Sequence, residues 1–204
     1  MVFEFLKLNI DVTDDYFNSI YPEAISLLAR KHWTSVSVAK SASEYLVERP
    51  GARVLDIGSG AGKFCLVGAS HTKGHFTGVE QRFKLVELSR KLAESYSVRN
   101  AKFINGNINA IDFKSFDSFY FFNSFYENID TINRIDDEVC LDTKLYHQYS
   151  TYIVGQFTAL PLGARLATYC SPFTIIPSCF KLQDSLSGGT LRFWEKIEDN
   201  KAFA

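Results

Sequence analysis

Gly58, Gly60 and Gly62 fall at every second position directly after the apolar run Val54-Leu55-Asp56-Ile57. A strand that opens into such a turn and then into a helix, apolar here at Phe64, Leu66, Val67 and Ala69, makes a site for a nucleotide-type ligand. Glycine lets the main chain take left-handed φ and lets a ligand approach it closely. The first helical turn adds unsatisfied N–H groups and the positive end of a dipole. The spacing is G-x-G-x-G, not the G-x-G-x-x-G of dinucleotide sites, because position 63 is lysine. Asp56, two residues before the first glycine, repels phosphate and can accept a hydrogen bond from a ligand or a bound water. A ligand without a pyrophosphate suits this turn.

Glu80 lies 24 residues beyond Asp56, at the end of the next apolar strand. A doubly wound fold places there an acid that accepts both ribose hydroxyls, and a charged acceptor makes the stronger hydrogen bonds. Asn107 and Ile108 follow the third strand, and Asn123-Ser124-Phe125-Tyr126 follows the fourth, at the edge where such folds bind ligands. Lys63 reads as a solvated first-turn lysine, with a ligand carboxylate as its alternative partner. Glu127 reads either as a free carboxylate at a helix start or as a group that orients or deprotonates an amine. His32-Trp33 precedes a helix cap; Trp33 is either a lid or a hydrophobic staple. His71, His75 and His147 lack metal-ligand spacing, and Cys65, Cys140, Cys170 and Cys179 have neither C-x-x-C spacing nor a histidine pairing, so no metal site is expected. Ser59 lacks the G-x-S-x-G context of a hydrolase nucleophile.

The elements that must position these residues follow from periodicity. Pro22 suits the first position of a helix through Ala24, Ile25, Leu27 and Leu28, and Thr34 or Ser35 caps another that is apolar at Val36, Val38, Ala39, Ala42, Tyr45 and Leu46. Strands are expected at 53–57, 75–80, 101–105, 118–122 and 164–170. A helix between the second and third carries Leu85, Val86, Leu88, Leu92, Ala93 and Tyr96. The aromatic run Phe119-Tyr120-Phe121-Phe122 calls for a strand buried on both faces. Residues 127–141 are polar and acidic, a loop or a short helix, and Asp142 caps a helix ending at Pro161. The tail around Ser187-Gly188-Gly189 reads as a hairpin. Alternating strands and helices give an α/β fold with a doubly wound, mostly parallel sheet, and the terminal hairpin adds an antiparallel strand.

The 204 residues suffice for one domain with a sizeable core, and 46% are hydrophobic, so residues 1–204 are expected as a single domain. A net charge of −1 argues against a general electrostatic grip on nucleic acid. Eighteen Phe and ten Tyr are many for this length, and some are expected to line a pocket. Cysteine usage fits reduced thiols in a cytoplasmic protein, the apolar N-terminus is a poor signal peptide, and no run is long enough to span a membrane.

The string Asp56-Ile57-Gly58-Ser59-Gly60-Ala61-Gly62 resembles the first motif of class I S-adenosylmethionine-dependent methyltransferases. With Thr34-Ser35, Gly78-Val79-Glu80, Gly106-Asn107-Ile108 and Asn123-Ser124-Phe125, order and spacing resemble the class I (non-SET) histone-lysine methyltransferases across residues 34–125. The His32-Trp33-Thr34 string is similar to that of uncharacterised bacterial relatives. The resemblance implies a Rossmann-like seven-stranded sheet, with N-terminal helices (1–50) over the cofactor site and the core at 51–204. It implies S-adenosylmethionine as cofactor, held by Thr34, Asp56, Gly58, Gly60, Gly62, Glu80 and Asn123, with adenine at Asn107 and Ile108. Asn107 stands where many relatives have an acid; its amide oxygen can still accept. Asn123-Ser124-Phe125-Tyr126 resembles the N-P-P-[YF] motif of amino-group methyltransferases, with Ser124 and Phe125 in place of the prolines. It implies that Asn123, with Tyr126 nearby, aims an acceptor nitrogen, and that Phe125 and Glu127 meet the substrate. The basic extensions that hold a nucleosome are absent, so histone specificity is not implied. Methyl transfer to a protein side chain or a small-molecule amine is the expectation. A non-catalytic cofactor-binding module and a nucleotide-dependent oxidoreductase stand as alternatives.

Overall fold

Strand β1 (Arg53–Ile57) takes the central place that its apolar run dictates: four of its five residues are buried. The other strands are β2 (His75–Glu80), β3 (Ala101–Asn105), β4 (Ser118–Phe121), β5 (Arg165–Tyr169), β6 (Phe180–Leu186) and β7 (Leu191–Lys196). In this computed structural model, which describes residues 1–199, these seven strands form one sheet in the order β3-β2-β1-β4-β5-β7-β6. Residues 200–204, the end of the expected core segment, lie outside the described residues. Strands β1 to β5 pair in parallel, and β7 runs antiparallel between β5 and β6. This is the expected Rossmann-like sheet with its antiparallel hairpin. The bounds of β1 to β5 fall within one residue of expectation, and β6 and β7 form the expected hairpin.

The helices are α1 (Val2–Lys7), α2 (Asp14–Asn18), α3 (Glu23–His32), α4 (Val36–Leu46), α5 (Lys63–His71), α6 (Phe83–Ser95) and α7 (Thr143–Thr158). Ser35, not Thr34, caps α4, its hydroxyl accepting from the Val38 amide at 3.3 Å. Asp142 caps α7 through the Lys144 amide at 2.7 Å. Pro22 sits one position before α3, as its N-cap.

Alternation along β4 sorts the core into two layers. Tyr120 joins Val54 and Phe76 under the N-terminal helices and stacks on Phe64 of α5, with ring centroids 3.8 Å apart. Phe119 and Phe121 face the other way, where Phe119 meets Phe157 of α7 at 5.7 Å. Each such buried Phe contributes about 1.5–3 kcal/mol by leaving water. The chain leaves β1 toward β2 and β3 on one side, then returns to place β4 on the other. The crevice between the carboxyl ends of β1 and β4 is therefore a topological switch point, the position where open α/β sheets bind ligands.

Candidate functional site

A cavity of about 410 Å³ opens at this switch point. Its floor is the turn after β1, where Gly58, Gly60 and Gly62 all take left-handed φ, of 76°, 52° and 79°. The turn is held by main-chain bonds: the Gly58 and Ser59 amides donate to Val79 O at 3.0 and 2.9 Å, and the Gly62 amide donates to Ser59 O at 2.9 Å. All three of its glycines also have neighbours too close for a side chain, Gly62 against Phe103 and Ser89. A Cβ on Gly60 would collide with the Trp33 indole, and one on Gly58 with Ser124. Tyr21 of the N-terminal segment donates its hydroxyl to Ala61 O at 3.1 Å, fixing that segment onto the turn.

Carboxylates line the deep side. Glu80, at the end of β2, is buried; it accepts from the Gly60 amide at 3.1 Å on one oxygen and from the Arg82 amide at 2.9 Å on the other. Burial pushes its carboxyl up, opposed by these bonds and by the Arg82 charge. Asp56 accepts from the Cys65 thiol at 3.5 Å; burial chiefly, and the nearby Glu80 charge, push it up to about 7. Thr34 lines the same cavity and shares a 2.7 Å hydrogen bond with Tyr120.

Lys63 departs from its expectation. It is 2% exposed, and its ammonium donates to Asp14 at 2.5 Å and to Asn18 at 2.9 Å. The reading as a solvated lysine is overturned because α2 folds onto the first turn of α5. Trp33 rests on Gly60 and lies 5.7 Å from the Tyr21 ring.

Asn123, Ser124, Tyr126 and Glu127 form the wall beyond β4. Asn123 has φ 41°, and its amide N–H donates to Ser171 Oγ at 3.0 Å. Ser171 itself donates to main-chain carbonyls at the ends of β4 and β5, Phe121 O and Tyr169 O. The main chain at Asn123 is thus anchored, while its side-chain amide has no protein partner among the described residues. Ser124 bonds back to Ile57 O, tying this wall to β1.

Four expected site residues stand elsewhere: Gly62 ends the turn but does not line the cavity, packing instead against Phe103 and Ser89. Asn107 does not reach the cavity: its oxygen accepts from the Asn109 amide at 3.2 Å and its NH₂ donates to Tyr149 at 2.6 Å. Ile108 is buried in the α7 layer, and Phe125 packs there between Phe121 and Tyr149. Glu127 lines the cavity but is no free carboxylate, since Arg82 holds it at 2.5 Å and the Ile135 amide donates to it at 3.0 Å. It also lies 3.9 Å from His32 Nδ1, another cavity residue; burial holds the His32 imidazole below its usual value, with Glu127 opposing.

Arg82 is the functional-site residue that sequence reasoning missed. Its guanidinium lies 3.8 Å from Glu80 and pairs with Glu127 and, at 2.8 Å, with Asp136. The available signal was a lone arginine two positions after Glu80, opposite a segment carrying five carboxylates between Glu127 and Glu138.

The residues present fit an adenosyl amino acid. Glu80 stands where a ribose acid belongs, and the turn leaves no room for a side chain at Gly60. Two buried polar atoms beside the turn, Trp33 Nε1 and Ser59 Oγ, have no hydrogen-bond partner among the described residues. Unpaired buried polar groups are rare in native proteins and point to a missing partner.

A family model described as a methyltransferase domain matches residues 48–152. Among solved structures, TrmN from Thermus thermophilus is 20% identical with a TM-score of 0.61 over 83% of this chain and 51% of its own. The chain thus spans about half the length of TrmN. An RNA methyltransferase from Salinibacter ruber, in complex with S-adenosyl-L-homocysteine, is 17% identical with a TM-score of 0.55 over 82% of this chain and 93% of its own. A methyltransferase from Pyrococcus furiosus is 17% identical with a TM-score of 0.55, covering 81% of this chain and 84% of its own. At these identities the likeness is one of fold. No curated protein matches the sequence.

Proposed function

This chain belongs to the methyltransferase-domain family, and from that premise we propose that it methylates a nitrogen acceptor carried by a small-molecule amine or a protein side chain. The cofactor is S-adenosylmethionine, which when bound supplies an electrophilic methyl on a sulfonium. On this reading the glycine turn and Thr34 hold its amino-acid portion and Glu80 its ribose.

The observation that carries the nitrogen assignment is Asn123. Its main chain is anchored in a left-handed conformation at the end of β4, and its side-chain amide has no protein partner among the described residues. Strained, over-determined positions of this kind concentrate at functional sites. The amide oxygen can accept a hydrogen from an acceptor NH and so aim the nitrogen lone pair, with Tyr126, which is half exposed, beside it. Positioning is the main catalytic device such a reaction needs. Trp33 and Tyr21 pack against the turn from the N-terminal side.

Charge supports an amine over a nucleic acid. Around the acceptor wall, five carboxylates between Glu127 and Glu138 face three cations. All three cations are engaged: Arg82 with Glu127 and Asp136, Lys84 with Glu138, and Arg134 with Asp137. The Salinibacter neighbour is named an RNA methyltransferase; here a phosphate backbone would meet five carboxylates on this wall, and among the described residues Lys31 is the cavity-lining cation left without an ion pair.

Thermal denaturation with S-adenosylmethionine, S-adenosylhomocysteine and NAD tests the cofactor assignment. Stabilisation by the two adenosyl amino acids is expected, and stabilisation by NAD alone would replace this reading with an oxidoreductase.

A further inference from the structure

We infer that Arg82 is a positioning residue that couples the two walls of the cavity. One guanidinium joins Glu80, on the cofactor side, to Glu127 and Asp136, on the acceptor side, so that seating the cofactor firms the acceptor wall. The inference rests on the cofactor reading above and adds an order of binding to it, cofactor before acceptor.

Arg82 is buried, and a buried guanidinium must be paired. Its donors form a rigid fork. Nε donates to Asp136 at 2.8 Å and one terminal nitrogen donates to Glu127 at 2.5 Å, while the other terminal nitrogen stands 3.8 Å from Glu80 Oε1. The two acceptor-side partners fasten their own segment. Glu127 also accepts from the Ile135 amide at 3.0 Å, and Asp136 from the Glu138 amide at 3.0 Å. Arg82 therefore closes the loop between them, and a change in its position moves both ends of that loop together. Lys84, an exposed lysine, adds only a loose pair with Glu138 at 3.8 Å.

Glu80 links this fork to the ligand. A carboxylate offers about four acceptor sites, and the Gly60 and Arg82 amides occupy one on each oxygen. One site on each oxygen is left, the pattern that two neighbouring hydroxyls fill. With those sites open, burial pushes the Glu80 carboxyl up. Hydroxyls that donate to both oxygens favour the ionised form and immobilise it. A fixed, ionised Glu80 holds the Arg82 fork in place, and the fork then holds Glu127 and Asp136 more firmly at its other end. The coupling is reciprocal by linkage: an acceptor that needs this wall binds the cofactor-loaded protein more tightly than the empty one, by the same factor that it strengthens cofactor binding.

The test follows hydrogen exchange at residues 126–138 with and without S-adenosylhomocysteine, in the unaltered protein, Arg82→Lys and Asp136→Ala. Calorimetry confirms that the ligand is bound in each. In the unaltered protein the ligand is expected to slow exchange in this segment about tenfold. Arg82→Lys keeps the charge as a single point that cannot hold both acids, so the ligand still binds and the slowing shrinks to within about twofold. Asp136→Ala leaves the approach of Arg82 to Glu80 intact and removes one acceptor-side partner, and the slowing should fall to about threefold. A merely structural Arg82 would raise exchange equally with and without ligand, leaving the tenfold ratio in both variants, and that result overturns the coupling. So does an unaltered protein that binds the ligand and shows no slowing at 126–138, while the cofactor reading stands. Absence of binding to the unaltered protein removes the cofactor reading and the coupling with it. The unaltered protein and Asp136→Ala decide the matter even if Arg82→Lys fails to fold.

Discussion

The segment from Gly58 to Lys63 and the segment from Tyr126 to Glu138 face each other across one cavity, and different forces shape them. The first holds its form through main-chain hydrogen bonds to Val79 O and Ser59 O, left-handed glycines and complete burial of Lys63. The second consists of short 3₁₀ turns, Tyr126–Asn128 and Thr131–Asn133, joined to the sheet side by the pairs of Arg82 with Glu127 and Asp136. It even leaves Ile132 93% exposed. A wall built from backbone geometry can take only a narrow class of ligand. A wall built from side-chain charges can vary its partner without disturbing the fold. On the proposed reading, the first wall takes the cofactor and the second sets which acceptor is methylated.

The sharpest way to break this contrast is to put a side chain into the rigid wall. Gly60→Val adds both a steric clash with Trp33 and a left-handed φ that valine avoids. It is expected to cost about 2–3 kcal/mol of stability and at least about a hundredfold in S-adenosylmethionine affinity, read by denaturant titration and calorimetry. Retained affinity would show that the turn is not the binding floor.

Arg82→Met attacks the other wall. It leaves Glu127 and Asp136 without their cation, and losing one partner of a buried pair costs about 3 kcal/mol. Hydrogen exchange should speed up at 126–138 and stay unchanged at 58–63. Uniform exchange across both segments would erase the distinction.

Asn123→Gly separates stability from function. Glycine relieves the left-handed φ and is expected to add about 0.5–1 kcal/mol of stability, while removing the amide lowers methyl transfer about a hundredfold. A variant that is both more stable and fully active would contradict the role given to Asn123.

The smallest effect is on pH. Asp56 is pushed from its usual 3.8 up to about 7, so the folded state holds a proton that the unfolded state releases. The resulting stabilisation is present below about 4 and is lost as pH rises through about 7. Tm should fall more from pH 5 to pH 8 in the unaltered protein than in Asp56→Asn. Affinity runs the other way, because the cationic cofactor favours the ionised acid: about a tenfold gain from pH 6 to pH 8 is expected by calorimetry, absent in Asp56→Asn.

The same division decided what could be read from the residues. Strand β1, its glycine turn and the caps at Ser35 and Asp142 were legible because each depends on neighbours in sequence. The burial of Lys63 was not, since Asp14 and Asn18 lie 49 and 45 residues away. Asn107, Ile108 and Phe125 were placed at the correct strand ends, yet their direction depends on α7, where Tyr149 engages Asn107 and packs on Phe125. Arg82 was hidden because a charged residue after a strand reads as solvated until the acidic segment folds over it.

Methyl transfer itself tests the central claim most directly. The protein is incubated with methyl-labelled S-adenosylmethionine and a lysate fractionated into protein, RNA, DNA and small molecules. Label is expected in the protein or small-molecule amine fraction, and it should disappear with Asn123→Ala. Label confined to RNA or DNA, or transfer undiminished in Asn123→Ala, would contradict the account.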